Sequence, residues 1–165
     1  MSGDKPWIDG NLRFSAEVLT HAQAHALREY PSESCGFIKG PAADPLLANE
    51  LIEEVNEADK YHKLDPVHFP RTSTTYFKIN ELRATRAFEE GEQAGRPIKV
   101  IYHSHCDAGA YFSEEDAATF AHEGQLMWPC AFLVTSVMQG QLAEQKLWVF
   151  DANTQRFVES PFESV

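Results

Sequence analysis

The chain has 165 residues, of which 43% are hydrophobic and 24% are charged, close to the averages for a soluble globular domain. These fractions exclude a disordered or collagen-like chain. The 14 Lys and Arg against 25 Asp and Glu give a net charge of −11. This charge argues against duplex nucleic acid or an anionic membrane as the main partner, since both bind clustered cations.

The N-terminal quarter of the chain predicts a short strand, a helix and a buried strand. We expect residues 1–11 to form a flexible extension and residues 12–14 a short strand. Ser15 can cap a helix with an apolar stripe, which ends before Pro31. Residues 33–40 are apolar and contain glycines, which is typical of a strand buried in a sheet.

The middle of the chain predicts a strand, a long polar segment, a helix and a core strand. Residues 46–56 fit a strand, and residues 57–75 are polar and long for a structureless connection, a kind of loop that usually carries function. Apolar spacing over residues 76–91 indicates a helix, and residues 98–102 read as a core strand. Ser113 then caps a helix with an acidic first turn.

Two further apolar runs, residues 131–137 and 147–150, predict strands separated by turn residues around Gly140. Helices and strands alternate without strict repetition. The pattern therefore predicts a mixed α/β (α+β) fold in which helices pack on a mixed sheet. The length and the absence of a linker predict a single domain over residues 1–165.

The start of the chain and the number of cysteines indicate in which part of the cell the protein is expected. The first residues lack the basic flank and apolar stretch of a signal peptide, and no run of about 18 apolar residues occurs. We therefore expect a cytoplasmic protein. Cys35, Cys106 and Cys130 are too few and too scattered for a disulfide framework, and no C-x-x-C pair occurs, so we expect reduced thiols.

Two histidines at the end of the core strand form a candidate metal site. His103 and His105 are two residues apart, so side-chain alternation points both imidazoles to the same face of the strand. Asp116 lies in the first turn of the following helix, where the helix dipole favours an ionised carboxylate. Two His and one Asp leave the fourth tetrahedral position open, which is typical of a catalytic zinc.

Hydrolysis at such a site needs further groups. Glu33 is our candidate general base, to take the proton of the water and return it to the leaving amine. Ser113 can donate a hydrogen bond to the developing oxyanion, although a helix-capping role would also use its hydroxyl. When such fragments occur alone, a His at a strand end is commonly an ordinary polar residue, and a Ser-x-x-Asp sequence is commonly just the N-terminal cap of a helix.

The other histidines have ordinary interpretations. His21 and His25 have a spacing of four on the first helix, but the zincin glutamate is missing, so a solvated helix face is favoured. His62 and His68 either line a substrate groove or lie on a surface loop. His122 is expected on the helix that follows the site. A Cys106 nucleophile is disfavoured because the adjacent imidazole points to the opposite face of the strand.

Together, the spaced residues carry a resemblance to a known family. The run at 103–105, followed by Ser113 and Asp116 and preceded by Glu33 within segment 31–36, resembles the JAMM (MPN-plus, Mov34-type) zinc metalloproteases in their short prokaryotic form. The resemblance extends over most of the chain. It implies a curved β-sheet flanked by helices, similar to the cytidine deaminases.

The resemblance also implies roles. It makes His103, His105 and Asp116 the ligands of one catalytic Zn²⁺. Glu33 becomes the acid/base that activates water, and Ser113 stabilises the oxyanion. The implied reaction is hydrolysis of the amide or isopeptide bond after the C-terminal Gly-Gly of a ubiquitin-like protein or of a sulfur carrier of the ThiS/MoaD type.

Some properties stay open. Many members of the family have Pro where this chain has Cys106 and Phe112, so the loop above the metal can differ in shape and specificity. The alternatives are a catalytically silent MPN-type scaffold and a zinc hydrolase of a small-molecule amide or a deaminase. A zinc deaminase expects Pro-Cys-x-x-Cys, and the second cysteine is missing after Cys130. The sequence does not decide whether the chain forms a homodimer.

Overall fold

Eleven strands and four α-helices make up residues 4–165, which are the residues that the computed structural model describes. A 3₁₀-helix over Pro6–Asp9 precedes them. In chain order the strands are β1 (Arg13–Phe14), β2 (Cys35–Lys39), β3 (Leu47–Ala48), β4 (Glu50–Glu54), β5 (Ile98–Cys106), β6 (Ala121–His122), β7 (Gln125–Leu126), β8 (Ala131–Met138), β9 (Gln141–Asp151), β10 (Arg156–Ser160) and β11 (Glu163–Ser164). The α-helices are α1 (Ala16–Glu29), α2 (Ala58–Leu64), α3 (Glu81–Gln93) and α4 (Glu114–Phe120).

A six-stranded sheet organises the fold. Its strand order is β10-β9-β8-β5-β2-β4, and every neighbouring pair is antiparallel except β5 and β8, which are parallel. A small parallel sheet, β11-β1-β3, and the β6-β7 hairpin complete the strands. The predicted mixed α/β architecture is thereby confirmed.

Helices cover both faces of this sheet. The apolar side of α1 packs in one core cluster with residues of β5 and β8, among them Val100, Tyr102 and Leu133. Residues from α3 and α4 share a second cluster with Ile101 and Phe132. Successive residues of a strand point to opposite faces, so β5 contributes to both clusters.

β5 is the strand on which the site is built. It pairs with β2 on one side and β8 on the other, and it is buried along eight of its nine residues. The sequence predicted a strand over residues 98–102, whereas hydrogen bonding continues to Cys106. The His-Ser-His run is therefore part of the central sheet rather than of a loop that follows it.

The structure corrects the predicted segments between residues 46 and 75. The single strand expected over 46–56 is divided between two sheets, as β3 and β4. The polar segment 57–75 contains the seven-residue helix α2. A helix this short depends on tertiary contacts, and Asp59 supplies one because its carboxylate accepts hydrogen bonds from the backbone N–H and the hydroxyl of Ser73, both at 2.8 Å.

Three further boundaries differ from the expectations. Trp7 is buried in the core and its indole N–H donates to the Pro129 carbonyl (3.0 Å), so the described part of the expected flexible extension is ordered; residues 1–3 lie outside the described residues. The helix expected from residue 76 begins at Glu81, where Asn80 caps it. His122 lies in β6 and not on the helix after the site, because α4 ends at Phe120.

Within residues 4–165, no helix is long and apolar enough to cross a membrane.

The ammonium group of Lys99 binds the loop between β2 and β3. The Lys99 side chain is fully buried, and its Nζ donates to the carbonyl oxygens of Pro41, Asp44 and Leu47 at 2.7 to 2.9 Å. The same Nζ lies 5.5 Å from the centre of the Trp7 ring. Lys99 therefore donates to three main-chain acceptors of this loop.

Lys99→Met is expected to lower the free energy of unfolding by about 1–3 kcal/mol, because three main-chain carbonyls lose a charged donor, although those of Pro41 and Asp44 keep the backbone N–H groups of Asp44 and Leu47. Urea denaturation of the variant and the wild type measures this change. Lys60→Met, at an exposed position on α2, is the matched control and should cost less than about 0.5 kcal/mol. An equally small effect at Lys99 would contradict a structural role for its ammonium.

Candidate metal centre

β5 presents both histidines to the helical layer formed by α3 and α4. His103 is fully buried, and its ring stacks on Phe77 with centroids 4.4 Å apart. His105 is 4% exposed, and its Nδ1–H donates to the Gly109 carbonyl oxygen at 2.8 Å. His103 Nδ1 has no hydrogen-bond partner among the described residues, so packing on Phe77 fixes that ring. The Nε2 atoms of both rings point to the same place.

Asp116 is brought to the same place by the start of α4. Ser113 caps this helix in a capping box: its Oγ accepts the backbone N–H of Asp116 (3.0 Å), and its own N–H donates to Asp116 Oδ2 (3.1 Å). Asp116 Oδ2 lies 3.1 Å from the Nε2 of His103 and 3.1 Å from that of His105. The cap thus aims the carboxylate at both imidazoles.

The three side chains have the geometry of a metal site. The two Nε2 atoms of His103 and His105 are 3.2 Å apart, and the ligand atoms of these residues and Asp116 form the only such group of three or more among residues 4–165. In neutral His105, Nδ1–H is used by the Gly109 carbonyl, so Nε2 presents a lone pair. Ligand atoms around a tetrahedral zinc are about 3.3 Å apart, so the set fits such an ion.

The charges of His103, His105 and Asp116 shift one another's pKa values. Burial alone would raise the pKa of Asp116, but the two neighbouring histidines outweigh it and hold this pKa well below its usual range. Burial lowers the pKa of His103, and Asp116 only partly opposes it. Burial also acts to lower the pKa of His105, yet its hydrogen bond to Asp116 leaves the pKa raised. The carboxylate is therefore ionised and ready to bind a cation.

Glu33 lies two residues before β2, close enough to His105 and Asp116 for their charges to act on its pKa. Cys35 pairs with His103 in the antiparallel register, and Ser34 is joined to Ser104 by its backbone N–H (2.7 Å to Oγ) and its carbonyl (3.0 Å). If this register continued by one more residue, it would set Glu33 opposite His105. Glu33 is 6% exposed, and burial raises its pKa to about 8, with the Asp116 charge adding to the rise.

Ser113 can serve both as a cap and as a donor. Its Oγ accepts one hydrogen bond, from Asp116 N–H, and a hydroxyl that accepts still has its own hydrogen to donate. The expected competition between capping and oxyanion binding therefore does not arise.

Sequence reasoning missed the residues that hold the loop after β5. Ser136 Oγ donates to the Ala108 carbonyl (2.5 Å), Trp148 Nε1 donates to the Ala110 carbonyl (2.8 Å), and Glu144 Oε2 accepts the Ala110 N–H (3.1 Å). This loop contains Gly109, whose carbonyl orients His105. No local pattern marks these residues, since they lie on β8 and β9.

We expect Glu144→Ala to weaken metal binding about 10-fold, because a loosened loop no longer fixes the Gly109 carbonyl that orients His105. Calorimetric titration of the metal-free protein with Zn²⁺ measures the change. Glu159→Ala is a suitable control, because Lys146 Nζ lies 4.0 Å from Glu144 and 3.7 Å from Glu159, so both variants remove a neighbour of this lysine. The Glu159→Ala variant should bind Zn²⁺ like the wild type. Equal affinities for all three proteins would show that the Glu144 hydrogen bond does not contribute to metal binding.

A second missed residue, Asn56, joins the Glu33 side of the site to Phe77. Its Nδ2 donates to the carbonyls of Glu33 (2.9 Å) and Tyr76 (3.0 Å), and its Oδ1 accepts the N–H of Lys78 (3.0 Å). Phe77, which packs on His103, lies between those last two partners. Such a bridging role for an Asn just after a strand has no signature in a single sequence.

The remaining histidines do not join the site. His21 and His25 lie 2.8 and 3.7 Å from different oxygens of Glu53, which is also paired with Arg28 (2.5 Å). His62 Nδ1–H donates to the Phe69 carbonyl (2.8 Å), so it holds its own loop. The exposed His68 pairs with Asp65 and lines a groove, and the exposed His122 lies near Glu123.

The three cysteines are free thiols, as expected. Cys35 and Cys130 are buried in the core. Burial, together with the charges of Glu33 and Asp107, raises the pKa of Cys106 to about 12. This rise favours the protonated thiol, which argues against Cys106 as an activated nucleophile.

A groove of about 770 Å³ adjoins the metal group. Segment 68–79 forms one wall and α4 the other, and Phe77 and Phe120 lie at its base, next to His103. Most of its lining is apolar, with Arg71 and Glu115 at the rim. His103, His105 and Asp116 do not line the groove themselves, and Phe77 connects the groove to the metal group through its contact with His103.

Comparison with known proteins identifies the family. The sequence model described as prokaryotic homologs of the JAB domain matches residues 15–151, which is more than four fifths of the chain. The chain belongs to this family. The resemblance to the JAMM and MPN-plus proteins is thereby confirmed.

Particular relatives are similar to this chain over different extents. Proteins of Mycobacterium tuberculosis and Mycobacterium bovis named CysO-cysteine peptidase are 29% identical to it over 108 residues, which cover 64% of this chain and 62% of theirs. The chain thus spans less than two thirds of the length of these relatives.

Two solved structures share the fold. A protein from Desulfitobacterium hafniense has a TM-score of 0.67 at 17% identity, covering 93% of this chain and 92% of that one. A JAB1/MPN domain protein from Archaeoglobus fulgidus has a TM-score of 0.55 at 15% identity, covering 94% and 98%. At these identities the similarity is one of fold, and it confirms the JAB/MPN fold class.

Proposed function

We propose that the protein is a zinc-dependent metallopeptidase that cleaves the amide bond after the C-terminal Gly-Gly of a sulfur-carrier or other ubiquitin-like protein. The observation that carries the proposal is the meeting of two buried imidazoles and one carboxylate oxygen within 3.2 Å of one another, beside the carboxyl of Glu33. The names of the mycobacterial relatives support a carrier-protein substrate.

Zinc is the ion that suits this donor set. His103 and His105 would supply nitrogen and Asp116 oxygen, and three protein ligands on a tetrahedral ion leave one position for water or substrate. When bound there, zinc acidifies water and polarises the scissile carbonyl.

The chain's own residues would move the protons and stabilise charge. Glu33 in its ionised form, which the positive charge of a bound cation would favour against the effect of burial, takes a proton from the attacking water and delivers it to the departing amine nitrogen. Ser113 donates its hydroxyl hydrogen to the oxyanion of the tetrahedral intermediate. Burial keeps competing solvent away from the carboxyl groups of Glu33 and Asp116, which are 6% and 7% exposed.

The groove supports an extended tail as the substrate. A flexible C-terminal tail lying between segment 68–79 and α4 would lie against Phe77, whose ring contacts His103. Glycine residues suit this approach because they lack side chains that would contact the aromatic base of the groove.

The decisive experiment uses a sulfur-carrier protein extended by one residue beyond its Gly-Gly. We expect zinc-loaded protein to release that residue, with a mass loss equal to one residue, and the chelated protein to be inactive. Trimming that resists the chelator would contradict a metal mechanism, and cleavage of small amides alone would favour a small-molecule hydrolase.

The complete ligand set argues against a silent MPN-type scaffold, because such members of the family usually lack these residues. Zinc-deaminase chemistry is also disfavoured. Cys130 is buried in the core and stands outside the metal group.

A further inference from the structure

Arg71 bridges the two sides of the candidate site. It lies two residues before Ser73, whose carbonyl oxygen accepts the backbone N–H of Glu33 at 2.7 Å. Its guanidinium donates to Glu115 Oε1 at 2.6 Å, and Glu115 immediately precedes Asp116. The side chain therefore runs from the Glu33 side of the site to the α4 side, at the mouth of the groove.

The charge of Arg71 acts inside the site while its guanidinium remains open to solvent. The Arg71 charge opposes the burial-driven rise in the pKa of Glu33, and the side chain is 43% exposed. Its bond to Glu115 uses one of five N–H donors, so donors remain for a second carboxylate. Lys78, another cation in the groove, is directed elsewhere, to Glu81 (3.6 Å) and the Tyr61 ring (5.7 Å).

An anionic leaving group needs such a cation here. The first turn of α4 carries Glu114, Glu115 and Asp116, and the whole chain has a net charge of −11. A free α-carboxylate near the site would be repelled by these acids unless a guanidinium received it. An amino acid joined to the carrier tail through its α-amine holds that carboxylate one carbon from the scissile nitrogen. A lysine side-chain amine carries no carboxylate so close.

We propose that Arg71 binds the α-carboxylate of the amino acid that leaves, so that the enzyme prefers carrier proteins bearing one C-terminal residue over isopeptide-linked conjugates. The inference rests on the proposed peptidase function. In the reaction the C–N bond breaks, the water oxygen joins the terminal glycine carbonyl carbon, and the water protons pass to the products, one of them to the departing amine. Arg71 takes no part in bond making and selects the substrate.

The test compares two carrier proteins, each with one residue after Gly-Gly, ending in a free carboxylate or in a carboxamide. Wild-type kcat/KM is expected to favour the free acid by about 10- to 100-fold, the effect of one charge-assisted hydrogen-bonded pair. Arg71→Ala should reduce this ratio to about one, mainly through KM, and Arg71→Lys should restore part of it. Glu115→Gln should raise the ratio, because it removes the competing carboxylate.

Lys78→Ala is the matched control and should keep the wild-type ratio. An equal rate for both substrates in the wild type, or an equal loss for both in Arg71→Ala, would overturn the role of Arg71. If the wild type cleaves neither substrate, the proposed peptidase function fails.

Binding decides the role of Arg71 without turnover. Zinc-loaded Glu33→Gln protein is titrated calorimetrically with a short peptide that ends in Gly-Gly plus one residue, as the free acid or the amide. The proposal is supported if this protein binds the free-acid peptide about 10-fold more tightly than the amide peptide, and if the Glu33→Gln, Arg71→Ala double variant binds both peptides equally. Equal binding of both peptides overturns it.

Discussion

Glu33→Gln is expected to slow cleavage of the carrier-protein adduct by about 10²- to 10⁴-fold while the purified protein keeps one metal ion per chain. Gln matches the size of the buried Glu33 side chain but cannot take up a proton. The metal should remain because Glu33 is not one of the three converging ligands. Rates measured by mass spectrometry and metal content measured by elemental analysis therefore separate catalysis from metal binding.

A matched control for this variant lies on the neighbouring strand. The Glu54 side chain is 6% exposed and is paired with Arg83 at 2.9 Å. Glu54→Gln neutralises an equally buried carboxyl away from the histidines, and its turnover should stay within about three-fold of wild type. Undiminished cleavage by Glu33→Gln would remove Glu33 from the mechanism.

His103→Ala is expected to lower zinc affinity by more than about 100-fold and to leave the purified protein with far less than one equivalent. Removing one of three ligands costs more than the 10- to 100-fold that loss of an outer hydrogen bond costs. Because His103 is fully buried against Phe77, the variant also leaves a cavity and can lose stability.

Asp116→Asn separates ligand loss from unfolding. It keeps the shape of the carboxylate and an oxygen that can accept the Ser113 N–H, but it removes the charge that binds the cation. We expect it to fold and to lose the rise in Tm that zinc gives the wild type. His122→Ala changes a histidine side chain that is 73% exposed and should retain full zinc content. A full equivalent of tightly bound zinc in both ligand variants would contradict the ligand set.

Local patterns were sufficient where an element is long and regularly apolar. The stripe of α1, with Ser15 as its cap, and the buried run of β5 were predicted with ends only a few residues from those observed. Side-chain alternation along β5 was also enough to predict that both histidines share a face. These properties depend on neighbours one to four residues away, which a single sequence contains.

Short elements were predicted poorly because their stability comes from elsewhere in the chain. α2 has seven residues in a polar segment, and it is tied to Ser73 through Asp59. His122 was expected on a helix, but α4 stops at Phe120, and the chain turns into the β6-β7 hairpin.

The histidine pair and the capping box that holds Asp116 follow from the order of residues alone, since each is built within one element or one turn. The position of Glu33 near His105 does not follow from the order of residues. It depends on the antiparallel pairing of β2 with β5, and the Ser34–Ser104 hydrogen bond beside it joins residues that are 70 positions apart in the chain. The hydrogen bond between Ser73 and Glu33 likewise helps to hold Arg71 near the site, and it joins parts of the chain 40 residues apart. Such contacts join distant parts of the chain, and only folding brings them together.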